Sequence, residues 1–253
     1  MAEAEQAPIG GAEALDEQTR SRLSELAERH DLGDGQARAL AALLVLFRDD
    51  PRAPTAIRSP REGVDRHVAD ALAALDLDVV QASRRTADIG SGAGVPGLPL
   101  AVALPKARLS LVDSAGRKVE FLRGAIAALG LANVEAVSAR AESWDAGLGA
   151  NDLVTARALA APAVVVEYAA PLLRVGGALV DWRSELSADE QESASGAAHA
   201  VGMRVQEVRH VVPFPGADRR RLYVYVKVRD TPDRFPRRPG IARKRPLQAS
   251  TDA

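Results

Sequence analysis

The sequence predicts an α/β protein: a mostly parallel seven-stranded sheet with helices on both faces, preceded by an N-terminal helical cap and closed by an antiparallel edge hairpin. Three observations predict it. From Val79 onward, short apolar runs alternate with stretches of helical period, the pattern of strand and crossover helix. A glycine-rich loop, Gly90 to Gly97, joins the first of those runs to the first of those helices. Toward the end of the chain, Leu222, Val224, Val226 and Val228 alternate with other residues as the inward face of a strand paired antiparallel to Val205 to Val211.

Taken in order, residues 1–14 are small and polar with glycine and proline and are expected to be disordered. Residues 15–78 read as the helical cap. Leu15, Leu23, Leu26 and Ala27 mark one helix, and after Gly33 and Gly35 the dense run Ala39 to Phe47 marks a second. Pro51 and Pro54 forbid a regular helix between it and the next. A third helix starts at Ser59 and Pro60, with Val64, His67, Val68, Ala71, Leu72 and Leu75 forming one apolar stripe at spacings of three and four. His67, on that stripe, reads as a packing residue.

The main domain is expected over residues 79–228. Its first strand ends at Asp88 and Ile89, and the helix after the glycine loop covers Leu98 to Leu104. The second strand, Leu109 to Val112, closes at Asp113. A helix from Gly116 to Leu129 turns Val119, Leu122, Ile126 and Leu129 to the sheet. Third and fourth strands follow at Val134 to Val137 and Leu153 to Thr155. A helix from Pro162 to Leu173, with Gly176 and Gly177 as its stop, precedes the fifth strand, Ala178 to Trp182. A further helix runs around Leu186 to Ala200 before the hairpin. Ligand crevices in open α/β sheets lie outside the carboxyl ends of the strands, so Asp88, Asp113, Glu142, Arg157 and Arg183 are expected to converge on one cleft. Residues 229–253 form a basic, proline-rich tail with no core of its own, read as a phosphate-binding arm.

The glycine loop points to a nucleotide-like ligand, because glycine permits positive φ and close approach of backbone to ligand. Gly92, Gly94 and Gly97 also match the dinucleotide fingerprint G-x-G-x-x-G. Asp88 favours the other candidate: an acid at the strand end suits S-adenosylmethionine, which carries an ammonium and a sulfonium, and would repel a pyrophosphate. Asp113, about 20 residues further on, suits ribose hydroxyls in either case. Asp88, Gly90, Gly92, Gly94 and Asp113 are therefore the candidate cofactor residues.

Composition excludes several chemistries. There is no cysteine, hence no disulfide, thiolate nucleophile or zinc-thiolate site. His30, His67, His199 and His210 lack ligand spacing, so no metal is expected. The net charge of −1 gives no overall basic field, which confines any RNA site to a local patch. No apolar run approaches the ~20 residues that span a bilayer, and the acidic N-terminus is unlike a signal peptide. A cytoplasmic protein without membrane contact is expected.

With these pieces in place, the chain resembles the class I S-adenosylmethionine-dependent methyltransferases, and within them the RsmG (GidB) family, which methylates a guanine N7 of small-subunit 16S ribosomal RNA. The resemblance rests on the stretch from Asp88 to Leu100, on Leu111 to Arg123, on Asn133 to Glu135, on Arg140 to Glu142 and on Thr155 to Ala158. Upstream it includes Thr55 to Glu62 and Arg66 to Asp70, and in the tail Arg234 to Gly240 and Lys244 to Leu247. It implies a Rossmann-like fold and cofactor contacts at Gly90, Val95, Ala141, Glu142 and Arg157. Departures fall at Phe47 to Pro54, where only the following Thr55 keeps the family wording, and at Arg183, where the family has lysine.

Guanine N7 is an unprotonated lone pair, so the expected reaction needs positioning and no general base. No catalytic residue is assigned; Arg157 and Arg183 are positioning candidates. Arg117, Lys118, Arg123, Arg183, Arg219 and Arg220 are the candidates for RNA phosphates. The expected partner is 16S rRNA or the small ribosomal subunit, and the protein is expected to act as a monomer. Two alternatives remain at this level: a class I methyltransferase acting on a different RNA, a small molecule or a protein, and a nucleotide-binding module of the NAD type.

Overall fold

The first two cap helices start at side-chain hydrogen bonds to the backbone of their opening turns. The structure, a computed structural model, describes residues 12–247. The disorder expected for residues 1–14 falls largely outside them, and Ala12–Ala14 form a 3-10 turn. Helix α1 (Glu17–Arg29) begins where the Asp16 carboxylate accepts the Thr19 N–H at 2.8 Å. Helix α2 (Asp34–Asp49) begins at Gly33, whose N–H donates to the Gln36 side chain at 2.9 Å, and Pro51 follows its end.

The third predicted helix is present but not regular. A first turn, α3 (Pro60–Gly63), runs into a π-helical segment, Val64–Ala69, then into α4 (Asp70–Leu72) and a 3-10 turn, Ala73–Asp76, ahead of the short α5 (Asp78–Gln81). All six residues of the inferred stripe are buried, on a helix that is not regular. The wider π turn re-aims His67 and Asp70, and both are buried.

The sheet comprises β1 (Arg85–Ile89), β2 (Arg108–Asp113), β3 (Val134–Ser138), β4 (Asn151–Arg157), β5 (Leu173–Ser184), β6 (Met203–His210) and β7 (Arg220–Lys227), in the spatial order β3-β2-β1-β4-β5-β7-β6. Strands β1 to β5 are parallel, and β7 is inserted antiparallel between β5 and β6. This is the predicted fold class. Helices α6 (Gly97–Ala103), α7 (Gly116–Ala128), α8 (Pro162–Ala169) and α9 (Ala188–Ala200) supply the crossovers. Between β3 and β4 only two 3-10 turns intervene, Ala141–Ser143 and Asp145–Gly147.

One boundary differs from expectation for a clear reason. Helix α8 stops at Ala169, ahead of Pro171, and Gly176 and Gly177 lie inside β5 and do not terminate the helix. There the β4–β5 register jumps from Asn151↔Leu173 to Leu153↔Ala178, and Gly176 takes φ +84°. A Cβ on Gly177 would lie 2.9 Å from the Asp152 carbonyl oxygen. The pair of glycines is a bulge.

The cap shares one core with the sheet. Leu23, Leu40, Leu44, Val68 and Leu72 pack in a single cluster with Leu153, Val180, Trp182 and Val224. On the opposite face, Ala87, Ile89, Val154, Leu179 and Tyr225 meet α8 and α9. The tail, which has no core of its own, joins that second layer. Phe235 and Ala242 are buried in it, and Arg237 makes a two-pronged ion pair with the buried Glu167. The last helical element among the described residues is a single turn, α10 (Ile241–Lys244).

Trp182 is the largest fully buried side chain, and its indole N–H donates to the Asp70 carbonyl at 2.9 Å. Trp182→Ala is expected to destabilise the protein by about 3–5 kcal/mol, read as a lower midpoint in urea. A loss under about 1 kcal/mol would contradict the packing described.

Candidate active site

After Ile89 the chain turns through Gly90, Gly92 and Gly94 at φ +66°, +60° and +87°, conformations in which a side chain is strained. Space is short as well. A Cβ on Gly90 would come within 2.4 Å of Leu159, and one on Gly97 within 2.3 Å of Leu111 and 2.8 Å of Asp88 Oδ2. Asp88, the candidate cofactor residue at the strand end, lies beneath this turn and outside the cavity lining. It is 1% exposed, Thr155 Oγ1 donates to its Oδ1 at 2.9 Å, and Ser91 Oγ donates to its Oδ2. Burial pushes its carboxyl up to about 6 against the pull of those hydroxyls and of the Gly97 amide. Asp88 holds the loop from beneath.

Above the loop lies a cavity of about 360 Å³ at the carboxyl ends of β1 to β4. Gly90, Asp113, Lys118, Ala141, Glu142 and Leu159 line it. Asp113 accepts the Gly92 N–H at 3.0 Å and the Ala115 N–H at 2.9 Å, so it ties the glycine loop to the start of α7. Lys118 Nζ stands 3.6 Å from the same carboxylate. Gly92 and Gly94 shape the loop without lining the cavity, and Val95 is buried in the core beside Leu98 and Leu122.

Among the lining residues not singled out from the sequence are Tyr168 on α8 and Arg243 in the tail. Burial, followed by the charge of Glu142, raises the Tyr168 phenol above its ordinary value, opposed by Arg243. Nothing in sequence spacing links positions so far apart. The signal that was available was the amphipathic close of the tail, Ile241 and Ala242 beside Arg243.

Arg157 and Arg183 do not share this cavity with Asp113 and Glu142, so the single expected cleft is in fact two. The second, about 410 Å³, is lined by Arg66, Arg157, Arg183 and Arg220 together with Trp182 and Phe214. The two cavities meet at Ala158, the residue after β4, which takes φ +54°.

Three of these four arginines are anchored inward. Arg157 donates to the Arg66 carbonyl at 2.8 Å and to Asp70 Oδ2 at 2.9 Å. Arg220 Nε lies 2.8 Å from Asp70 Oδ1, an ion pair without hydrogen-bond alignment. Arg183 donates to Asp181 Oδ2 at 2.8 Å and to the Ala160 carbonyl, fixing the loop that carries Ala158. Asp181 Oδ1 has no partner, and burial pushes that carboxyl up to about 7 although Arg183 opposes the shift. His67 is a packing residue as expected. It contacts Thr55 Oγ1 at 3.0 Å and the Phe47 ring edge, and burial with nearby Arg157 lowers its pKa to about 4.

The remaining cationic candidates are spread over the surface. Arg117 and Lys118 border a groove with Pro51, Arg52 and Pro54, which places α7 against the segment that departs from the family wording. Arg123 and Arg219 are exposed and line neither cavity. Arg58 gathers that segment by donating to the carbonyls of Phe47 at 3.0 Å and Ala53 at 3.0 Å, and to those of Asp50 and Pro51.

A family model described as GidB, rRNA small subunit methyltransferase G, matches residues 40–220. Ribosomal RNA small subunit methyltransferase G of Rubrobacter xylanophilus is 42% identical over 197 residues, covering 76% of each chain. That of Pelotomaculum thermopropionicum is 39% identical over 210 residues, 81% of this chain and 87% of its own. That of Deinococcus radiodurans is 39% identical over 212 residues, 82% and 84%. Among solved structures, a SAM dependent methyltransferase from Aquifex aeolicus aligns at a TM-score of 0.50 and 17% identity over 65% of this chain and 95% of that one. An O-methyltransferase family protein from Burkholderia thailandensis aligns at 0.50 and 17% over 83% and 68%. These structural likenesses concern the fold.

Asp88 and Asp181 bind a proton more tightly in the folded chain than in the unfolded one, where a carboxyl titrates near 3.8. Their contribution to stability is full below about pH 4 and fades as pH rises through about 6 and 7. In Asp181→Asn the later part of that slope disappears. Its melting temperature relative to the parent protein is expected to climb from about pH 5 to about pH 8. A constant difference across that range in thermal melts would contradict it.

Proposed function

The chain belongs to the GidB family, rRNA small subunit methyltransferase G, and on that premise we propose that it methylates N7 of one guanine of 16S ribosomal RNA, using S-adenosylmethionine. The observation that carries the reading is the junction at Ala158, where a cavity walled by a glycine loop and two carboxylates opens beside a cavity walled by arginines.

The first cavity fits the cofactor. Gly90, at φ +66°, lets a ligand lie against the main chain where the loop meets the cavity, and Asp113 and Glu142 offer acceptors to hydroxyl and amino groups. When bound there, S-adenosylmethionine supplies a methyl group on a sulfonium, open to in-line attack by a lone pair. The protein's share of the barrier is alignment and exclusion of water.

The second cavity suits the RNA. Guanidinium groups bind phosphate oxygens and guanine O6 through paired N–H donors, and the half-buried Phe214 offers flat apolar surface against a base. N7 must stay unbonded to attack, so an arginine that orients the base acts at O6 or at the flanking phosphates. Neutral, hydrogen-bonded His67 is not needed as a proton acceptor, because N7 carries no proton to remove. Ribosomal RNA as substrate supports a cytoplasmic location. No helix among the described residues is long and apolar enough to cross a membrane.

Mass-spectrometric mapping of methylated guanines in small-subunit RNA from cells with and without the protein tests the proposal. The expected result is loss of a single N7-methylguanine, restored by the intact protein and not by Asp113→Ala. Unchanged RNA would overturn the substrate. Arg66→Ala, at the rim of the arginine cavity, is expected to raise KM for RNA several-fold with KM for the cofactor unchanged, and to lessen the salt dependence of RNA binding. An effect on the cofactor alone would contradict the assignment of the two cavities.

A further inference from the structure

The tail is built into the first cavity. Its backbone N–H at Gly240 donates to Glu142 Oε1 at 3.0 Å, so a residue of the β3–β4 connection is bonded to a residue 98 positions later in the chain. Arg243 donates to the Leu159 carbonyl at 2.9 Å, and its side chain lines the cavity together with Glu142 and Tyr168. Leu159 is the residue that fills the space over Gly90. Arg243 thus sits against both ends of the wall that faces the glycine loop.

The segment is anchored independently of that contact. Arg237 is paired with buried Glu167 and also donates to the Arg245 carbonyl at 2.9 Å, while Phe235 and Ala242 are buried against α8. Gly240, at φ +82°, makes the turn that starts α10 and aims Arg243 at the cleft. Arg234, Arg238, Lys244 and Arg245 are exposed and line neither cavity, whereas Arg243, exposed as well, borders the first one.

We infer that residues 234–245 form a wall of the cofactor cavity and that Arg243 is a positioning residue for S-adenosylmethionine, closing the cavity beside Glu142 and holding the Leu159 loop against the glycine turn. This rests on the methyltransferase reading above and deepens it. Only one of the guanidinium's five N–H donors is taken by Leu159, so the planar group can both hydrogen-bond and pack flat against a purine. The basic tail then has two faces. Its inner face retains the cofactor, and its outer cations are free for RNA phosphates.

The test is titration of S-adenosylhomocysteine into the full chain, with RNA binding measured in parallel. Arg243→Ala is expected to weaken S-adenosylhomocysteine about tenfold and to raise KM for the cofactor, with RNA affinity and kcat at saturating cofactor within twofold of the parent. Arg243→Lys is expected to recover part of the loss. Arg238→Ala, on the outer face, is expected to leave S-adenosylhomocysteine affinity unchanged. Affinity within twofold of the parent in Arg243→Ala overturns the inference. Hydrogen exchange on the unmutated chain gives a second reading: S-adenosylhomocysteine is expected to slow the amides of Gly240 to Lys244, and unaltered exchange there on a chain that binds the ligand overturns the inference. Failure of the folded parent chain to bind S-adenosylhomocysteine would instead bring down the methyltransferase reading.

Discussion

The arrangement at the carboxyl ends of the strands depends on one buried carboxylate, Asp70. It is fully buried at the end of the π-helical segment, with Arg157 of β4 and Arg220 of β7 against its two oxygens, and its carbonyl accepts the Trp182 indole of β5. Helix and three strands are joined at one residue. A charge in that position is tolerable only because two guanidiniums meet it, and removing either would leave it short of compensation at a cost of several kcal/mol. The π turn explains how the carboxylate reaches both, since a regular helix would turn that side chain elsewhere.

That constraint also decides which arginines are available. Arg157 and Arg183 look from sequence like free cations at strand ends, and both are tied down, one to the cap helix and the other to the loop carrying Ala158. Held in this way, they shape the wall of the second cavity. Preorganised donors in a partly desolvated site need no rearrangement when charge arrives, which suits a reaction whose main demand is alignment.

The glycine loop follows the same logic with the sign reversed. Asp88 stays beneath it, bonded to Ser91 and Thr155, and its strand-end position, suited in sequence to a ligand cation, serves instead to fix the backbone that would receive the ligand. Asp113 does the visible work at the surface of the cavity while also bracing Gly92. The tail adds a wall from the far end of the chain, so a stretch without a core of its own is ordered by docking on α8 and the β3–β4 connection.

The sequence alone determined the strand and helix alternation, the order of the elements, the glycine turn and the acid that ends β2, because each follows from periodicity or from backbone freedom within a few residues. It also carried the family wording. It could not determine that Gly176 and Gly177 form a bulge, since a glycine pair after an apolar helix reads equally well as a stop until the β4 partner is in place. Nor could it determine that Asp88 is buried, that the strand-end charges divide between two cavities, or that Tyr168 and Arg243 meet Glu142. Those outcomes depend on which groups lose water and which opposite charges face them across the fold. Such pairings link Asp70 to Arg220 and Glu142 to Gly240, residues with no relation along the chain, and only the packed sheet brings them together.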